Sequence, residues 1–327
     1  MSKKTKTESK LWLNSLVAKP QQVKQDSHGN ENIMSNGDIW DKKGLREMVN
    51  HRHKMLVNEK SKFQDITVLE AVDIRMYLNE QLQFSSLDER IYHQALVHPA
   101  FHLSDSRARV LILGGGDGLA LREVFKYKEV EEVVLVDIDE KVIQTSQTVP
   151  SIVELNNGSL LDKRVNVKIQ DAREYVLNGS SKFDVIIVDF PDPAETILAR
   201  LYAKEMFEKL YNRLTNGGVI VCQSNSPSDA PGVYWTIGKT MESAGFHTKG
   251  YHAIVPSFGD WGFHLGQKSK IEIEEDIYLK TRAMPSYEEM FTFSKNVLKE
   301  KNKAAVNSEK NLILHHLYEE DMKKWHA

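Results

Sequence analysis

The stretch Val110-Leu111-Ile112-Leu113-Gly114-Gly115-Gly116-Asp117-Gly118 decides the fold. Four apolar residues make a strand-length run, and they lead straight into glycines. A continuous apolar run of this length suits a strand buried on both faces, as in a parallel sheet. The glycines let backbone N–H groups approach a ligand closely at the start of the following helix. Taken alone, the same cluster also fits a tight structural turn.

Downstream the pattern repeats. Strands are expected at 132–136, 165–169, 183–188 and 218–222, with helices near 119–125, 141–148, 171–177, 204–214 and 234–244. Strands alternating with helices at roughly 20- to 30-residue intervals build right-handed βαβ units, so the core is expected to be α/β with a mostly parallel sheet. After Val255 the stretch PSFGDWGFHLG reads as a closing antiparallel hairpin, and 286–327 as two polar helices offering Leu312, Ile313, Leu317 and Trp325 for docking.

Upstream, the apolar residues of 63–84 alternate with polar ones, which is strand patterning, and Asn79-Glu80 fits a tight turn; a small antiparallel sheet is expected. Ser86 is the expected cap of a helix running through Tyr92 toward His98 and stopping before Pro99. Trp40, Leu45, Met48, Val49 and Leu56 suggest an amphipathic helix within 39–57, and the Lys-, Gln-, Ser- and Asn-rich start reads as a mobile tail. The expected division is a flexible tail over 1–36, a helix and small β domain over 37–100, and a catalytic α/β domain with C-terminal helices over 101–327.

Composition narrows the function classes. Of 327 residues, 41% are hydrophobic, which excludes a mostly disordered chain, and the formal net charge of -3 argues against a nucleic-acid binder. The single Cys222 cannot form an intramolecular disulfide and sits in an apolar run, so it reads as a small buried hydrophobe in a reducing, cytoplasmic compartment. No run approaches the roughly 18 apolar residues of a membrane span, and no secretory signal is legible. His51, His53 and the pair His315-His316 lack metal-ligand spacing, and no metal site is expected.

Three acids give the glycine loop chemical meaning. Asp137 ends the second strand about 20 residues beyond the loop, where a carboxylate accepts both ribose hydroxyls of an adenosine. Asp171 follows the third strand, in place to accept from an adenine amine. With the loop, including Gly114 and Gly116, these fit an S-adenosyl ligand. Asp117 would repel a pyrophosphate; it favours a ligand ending in an ammonium alone, decarboxylated S-adenosylmethionine, and could also cap the next helix. Asp189 and Asp192, on the proline-stiffened loop Asp189-Phe190-Pro191-Asp192-Pro193 at the end of the fourth strand, suit a polycationic substrate.

The ordered series FQDI, LDERIYH, GGGDG, VDID, QDA, DFPDP, CQS and PSFGDWGF, from Phe63 to about Gln267, resembles the polyamine aminopropyltransferases, the spermidine and spermine synthase family. The resemblance implies a small N-terminal antiparallel β domain followed by a Rossmann-like domain of the S-adenosylmethionine-methyltransferase type. It implies transfer of the aminopropyl group of decarboxylated S-adenosylmethionine, a co-substrate rather than a bound cofactor, to a polyamine, commonly putrescine. It further implies that Gln64 and Asp117 bind the aminopropyl end, Asp137 the ribose and Asp171 the adenine. Asp189 would be the general base with Tyr92 as its hydrogen-bond partner; His93, Asp192 and Gln223 would line the acceptor channel under Trp261. A homo-oligomer, dimer or tetramer, is also implied.

The chemistry is consistent with these roles. An alkylammonium has no lone pair until a base takes its proton, and the sulfonium is a good leaving group without a metal. The chain departs from the family pattern at Phe190, where a serine is usual, at Ala194-Glu195-Thr196 in place of Gly-Pro-Ala, and at Pro256-Ser257-Phe258-Gly259 in place of PTYPSG. These variants resemble a bacterial branch in which the catalytic domain is often fused to membrane helices, which are absent here. An S-adenosylmethionine methyltransferase and a catalytically silent polyamine-binding protein stay open as alternatives.

Overall fold

The apolar run that opens the core becomes β5 (Arg109–Gly114) of a seven-stranded sheet. In this computed structural model, residues 38–273 and 286–324 are described; the expected tail and Trp325 lie outside them. The other strands are β6 (Glu132–Asp137), β7 (Val165–Ile169), β8 (Phe183–Asp189), β9 (Leu214–Gln223), β10 (His247–Val255) and β11 (Gly259–Gln267), in the order β10-β11-β9-β8-β5-β6-β7. All pairings from β9 to β7 are parallel, whereas the β10–β11 hairpin adds antiparallel to β9. Val110 to Leu113 and Val185 to Val188 are wholly buried, as their unbroken apolar pattern requires. Each such side chain contributes roughly 1.5–3 kcal/mol on burial. The chain crosses from β5 to β6 on one side and returns to β8 on the other, so a crevice opens at the carboxyl ends of these strands.

A four-stranded antiparallel sheet precedes the core: β1 (Lys54–Lys60), β2 (Asp65–Glu70), β3 (Ile74–Leu78) and β4 (Gln81–Ser85). Asn79 (φ 48°) and Glu80 (φ 64°) form the expected two-residue turn. The helix before it, α1 (Ile39–Asn50), is shorter than anticipated, because Leu56 and Val57 belong to β1. That strand is exposed along most of its length, with only Leu56 and Val57 half-buried, and gives no period-two signal, which is why the sequence suggests a helix there instead.

Helix α2 (Glu89–Leu103) corrects two expectations. Ser86 does not cap it: its hydroxyl accepts from the Ile74 N–H. Asp88 occupies the cap position, with its carboxylate taking the Ser257 N–H and hydroxyl at 2.6 and 2.8 Å, which ties the helix start to the β10–β11 turn. Nor does Pro99 stop the helix. A proline strands the carbonyl four residues earlier, and here the Tyr251 hydroxyl donates to Ala95 O at 2.7 Å. A partner 156 residues away thus permits a helix that continues through its proline. Tyr251→Phe is expected to cost about 1–3 kcal/mol by leaving that buried carbonyl unpaired, read as a lower urea midpoint with an unchanged slope.

The helices after α2 are α3 (Leu119–Val124), α4 (Glu140–Thr148), α5 (Pro150–Leu155), α6 (Ala172–Asn178), α7 (Thr196–Ala199), α8 (Lys204–Arg213), α9 (Pro231–Ser243), α10 (Tyr287–Met290), α11 (Lys295–Glu300) and α12 (Leu314–Lys323). Among the described residues from 286 onward there are three short α-helices, not two. Leu314 and Leu317 of α12 pack into the core, and buried Asn307 ties the segment down by donating to the Ala199 and Tyr202 carbonyls at 2.8 and 3.1 Å. Cys222 is wholly buried in β9. No described helix is long and apolar enough to cross a membrane.

Candidate active site

The crevice at the carboxyl ends of β5, β6 and β8 is a cleft of ≈ 340 Å³, and every site residue expected from the sequence lines it. Glycine is obligatory at two points of the loop after β5. Gly114 has φ +83°, and a Cβ there would stand 2.2 Å from Asp189 O; a Cβ on Gly116 would stand 2.5 Å from Asp137 Oδ2. The loop is thus pressed between the two carboxylate-bearing strand ends. Asp117, within it, accepts from the Leu119 N–H at 2.8 Å through Oδ1, satisfying the first N–H of α3 from just before its Gly118 cap position while lining the cleft.

On the β6 side, Asp137 accepts the Asp139 N–H at 2.8 Å. Burial, reinforced by the charges of Asp139 and Asp117, pushes its carboxyl up to about 6. Asp171 caps α6, taking the Arg173 and Glu174 N–H groups on Oδ1, and lines the cleft. Gln64 comes from the turn before β2; its amide donates to Asp139 Oδ2 at 2.9 Å. Asp139, not singled out in the sequence, also receives the Ser61 hydroxyl at 2.6 Å and caps α4. It therefore pins the small sheet to the core beside the cleft.

On the β8 side, Tyr92 of α2 donates to Asp189 Oδ1 at 2.6 Å. Burial, aided by Asp117, pushes the Asp189 carboxyl up to about 6, against the opposing pull of His93 and of the Tyr92 hydrogen bond. Tyr92 is held protonated, its hydroxyl pushed well up by burial and by Asp189. A carboxylate so placed can take a proton from a bound ammonium near neutral pH. His93 presents its ring beside this pair, edge-on to Tyr92.

Asp192 is 7% exposed, and its Oδ1 has no hydrogen-bond partner. Its carboxyl is also pushed up to about 6, chiefly by burial, against the opposing pull of the neighbouring Asn225 and Gln223 amides. Gln223 lines the cleft, but its amide is committed to the loop, donating to Phe190 O at 2.6 Å and Tyr202 Oη at 2.7 Å. Phe190, where the family pattern has serine, is buried edge-on against Tyr202. Trp261 and Phe258 pack on each other and on Tyr92, forming an aromatic wall.

No sequence pattern pointed to the acids at the start of α1. Asp41 has its carboxyl pushed up to about 7, chiefly by burial and also by the charges of Asp38, the cap of the helix, and of Asp192. Cleft-lining Arg173 and Arg200 are both paired by Glu309, at 2.6 and 3.9 Å. The cleft is left with a run of carboxyls facing an aromatic wall, an arrangement that can hold an elongated cation and accept its proton.

Residues 89–277 match the Spermine/spermidine synthase domain family. A polyamine aminopropyltransferase 2 of Bacillus cereus is 50% identical over 292 residues, covering 88% of this chain and 80% of that protein. A polyamine aminopropyltransferase 2 of Bacillus anthracis is 49% identical over 306 residues, covering 92% and 83%. Among solved structures, spermidine synthase from Thermotoga maritima superposes with a TM-score of 0.69 at 26% identity, covering 76% of this chain and 88% of that one. A spermidine synthase in complex with the transition state analogue AdoDATO superposes with a TM-score of 0.70 at 26% identity, covering 76% and 89%. The matched region takes in the glycine loop, the strand-end acids and the Tyr92–Asp189 pair, and the chain belongs to the polyamine aminopropyltransferases, the spermine/spermidine synthase family.

Proposed function

We propose that this aminopropyltransferase uses putrescine as acceptor and makes spermidine and methylthioadenosine, with Asp189 as general base. The observation that carries the reading is the Tyr92–Asp189 hydrogen bond, set between Asp117 on one side and the unpartnered Asp192 oxygen on the other. Asp137 and Asp171 hold the ribose and adenine of decarboxylated S-adenosylmethionine. Gly114 and Gly116 bring the backbone up to it, and Gln64 and Asp117 hold its aminopropyl end. Putrescine lies along the aromatic wall with its far ammonium at Asp192 and its near nitrogen at Asp189, beside His93 and Gln223, with Trp261 over its methylenes.

Asp189 accepts a proton from the near ammonium. The freed lone pair attacks the methylene carbon bonded to sulfur, the new C–N bond forms as the C–S bond breaks, and the sulfonium becomes a thioether. Aligning nitrogen, carbon and sulfur supplies the rest of the acceleration, with reacting atoms held about 3–3.5 Å apart. No separate cofactor or metal enters this scheme. We further place the protein in the cytoplasm, as a homo-oligomer, with 37–100 and 101–327 as its two domains.

The test is a product assay with decarboxylated S-adenosylmethionine and, in turn, putrescine, cadaverine, agmatine, spermidine and spermine. Spermidine formed from putrescine faster than any other product is the expected outcome. A preference for spermidine as acceptor would reassign the enzyme to spermine synthesis. Binding without turnover of any amine would favour a silent polyamine binder, and methyl transfer from S-adenosylmethionine would overturn the reaction class.

A further inference from the structure

Beneath the cleft, α2 and α3 share a buried ionic chain that the proposed chemistry does not use. Arg122 donates to Glu89 through both terminal nitrogens, Nη1 to Oε1 at 2.7 Å and Nη2 to Oε2 at 2.9 Å. Its Nε donates to Glu123 Oε1 at 2.9 Å, and Glu123 Oε2 lies 3.0 Å from His98 Nε2. Glu89 and Glu123 are wholly buried and Arg122 is 3% exposed. Burying three charges is costly, and such an assembly adds little net stability over an apolar core of the same shape. Its geometry, however, ends on a residue of the cleft.

His93, one helical turn after Glu89, has Nδ1 at 2.7 Å from Glu89 O and 3.0 Å from Glu89 Oε2. Both partners are acceptors only, so Nδ1 carries the hydrogen. The hydrogen bonds of the ring within the described structure are at Nδ1, and His93 lines the cleft. We propose that Glu89, braced by Arg122, is a positioning residue for aminopropyl transfer: it locks His93 with Nδ1 protonated and Nε2 presented as an acceptor to a substrate nitrogen. This inference rests on the reaction proposed above. The charged groups facing His93 are Glu89 from its own helix, Asp117 from the glycine loop and Asp189 from β8, and all three favour its protonated form. Arg122 tempers the first of them, and an arriving substrate cation opposes the other two, so His93 reaches its neutral, accepting form as the site fills.

Glu89→Gln keeps a side-chain acceptor for Nδ1–H but removes the charge that fixes the ring. It is expected to lower kcat/KM by about 10-fold or more, within the roughly 10²-fold that a small misplacement near the reacting atoms can cost. The titration of the His93 ring followed by NMR should also move to lower pH, because Glu89 is one of the charges that favour its protonated form. In a His93→Asn background the same substitution should have no further effect on kcat/KM, because the two act as one unit. Equal losses in both backgrounds, or an unchanged kcat/KM with His93 present, would overturn the proposal. If Glu89→Gln does not fold, the natural protein decides the matter by ¹⁵N chemical shifts of His93 above its titration: a protonated Nδ1 and bare Nε2 support the lock, and the reverse tautomer refutes it. Failure of the natural protein to form product with any amine would strike the reaction reading alone, and the tautomer would still decide the lock.

Discussion

Asp189→Asn is expected to lower kcat by about 10²- to 10⁴-fold, the range for removing a positioned general base, while leaving the fold and co-substrate binding intact. Asparagine has the shape of aspartate, and its carbonyl oxygen can still accept the Tyr92 hydroxyl that now lies at 2.6 Å. What it loses is the capacity to take a proton. In the natural enzyme the carboxyl is pushed up to about 6 in the empty site. Because the base works only when ionised, kcat/KM should fall as pH drops through about 6. A bound ammonium favours the ionised form, so the limb in kcat, which reports the filled site, should lie lower than the limb in kcat/KM. In Asp189→Asn this limb should vanish, and residual activity should climb with pH as the free amine becomes more abundant in solution. A variant within threefold of the natural rate, or one that keeps the limb near pH 6, would move the general base elsewhere.

The same empty-site electrostatics connects the acids to one another. Asp137, Asp189 and Asp192 each have carboxyls pushed up to about 6, chiefly by burial. Their folded-state values exceed the unfolded one, so this contribution to stability is greatest at acid pH and is lost as pH rises through about 6. The site is therefore least comfortable, when empty, at the pH at which it works. A polyamine and a sulfonium bring the missing positive charge, and binding them relieves the strain among the carboxylates.

Sequence patterns carried the core and most of the cleft because their signals are local. Apolar runs such as 110–113 and 185–188 end in glycine or aspartate, and the topology of a parallel sheet delivers those ends to one crevice. What escaped depends on partners distant in the chain. Pro99 reads as a helix stop by every local rule, and Tyr251 overrides it from another strand. Asp139 and Gln64 are 75 residues apart, and nothing in either neighbourhood marks the pair. Asp41 feels the charge of Asp192, 151 residues further along the chain, and no periodicity encodes that proximity. Only the Glu89–His93 pair had a local signal, its i,i+4 spacing on a helix.

Asp117→Asn is expected to weaken decarboxylated S-adenosylmethionine selectively and to erode the discrimination against S-adenosylmethionine itself. The two ligands share the adenosyl group, which Asp137 and Asp171 would hold equally, and differ by one carboxylate next to the ammonium. A carboxylate at position 117 attracts the shared ammonium and repels the extra carboxylate, so it contributes to both sides of the difference in affinity. Truncating one partner of a buried charge pair costs about 2–5 kcal/mol. An isosteric amide in a cleft still open to water should lie near the low end, a rise in KM for the decarboxylated ligand of about 30-fold. Binding of S-adenosylmethionine, relieved of like-charge repulsion, should hold steady or tighten, so the ratio of the two constants narrows by more than KM alone moves. The start of α3 is a built-in control: asparagine preserves the oxygen that now takes the Leu119 N–H at 2.8 Å, so the melting temperature should barely shift. If both ligands weaken equally, or neither changes, Asp117 acts only through that hydrogen bond, and the preference for a ligand without a carboxylate must originate elsewhere in the cleft.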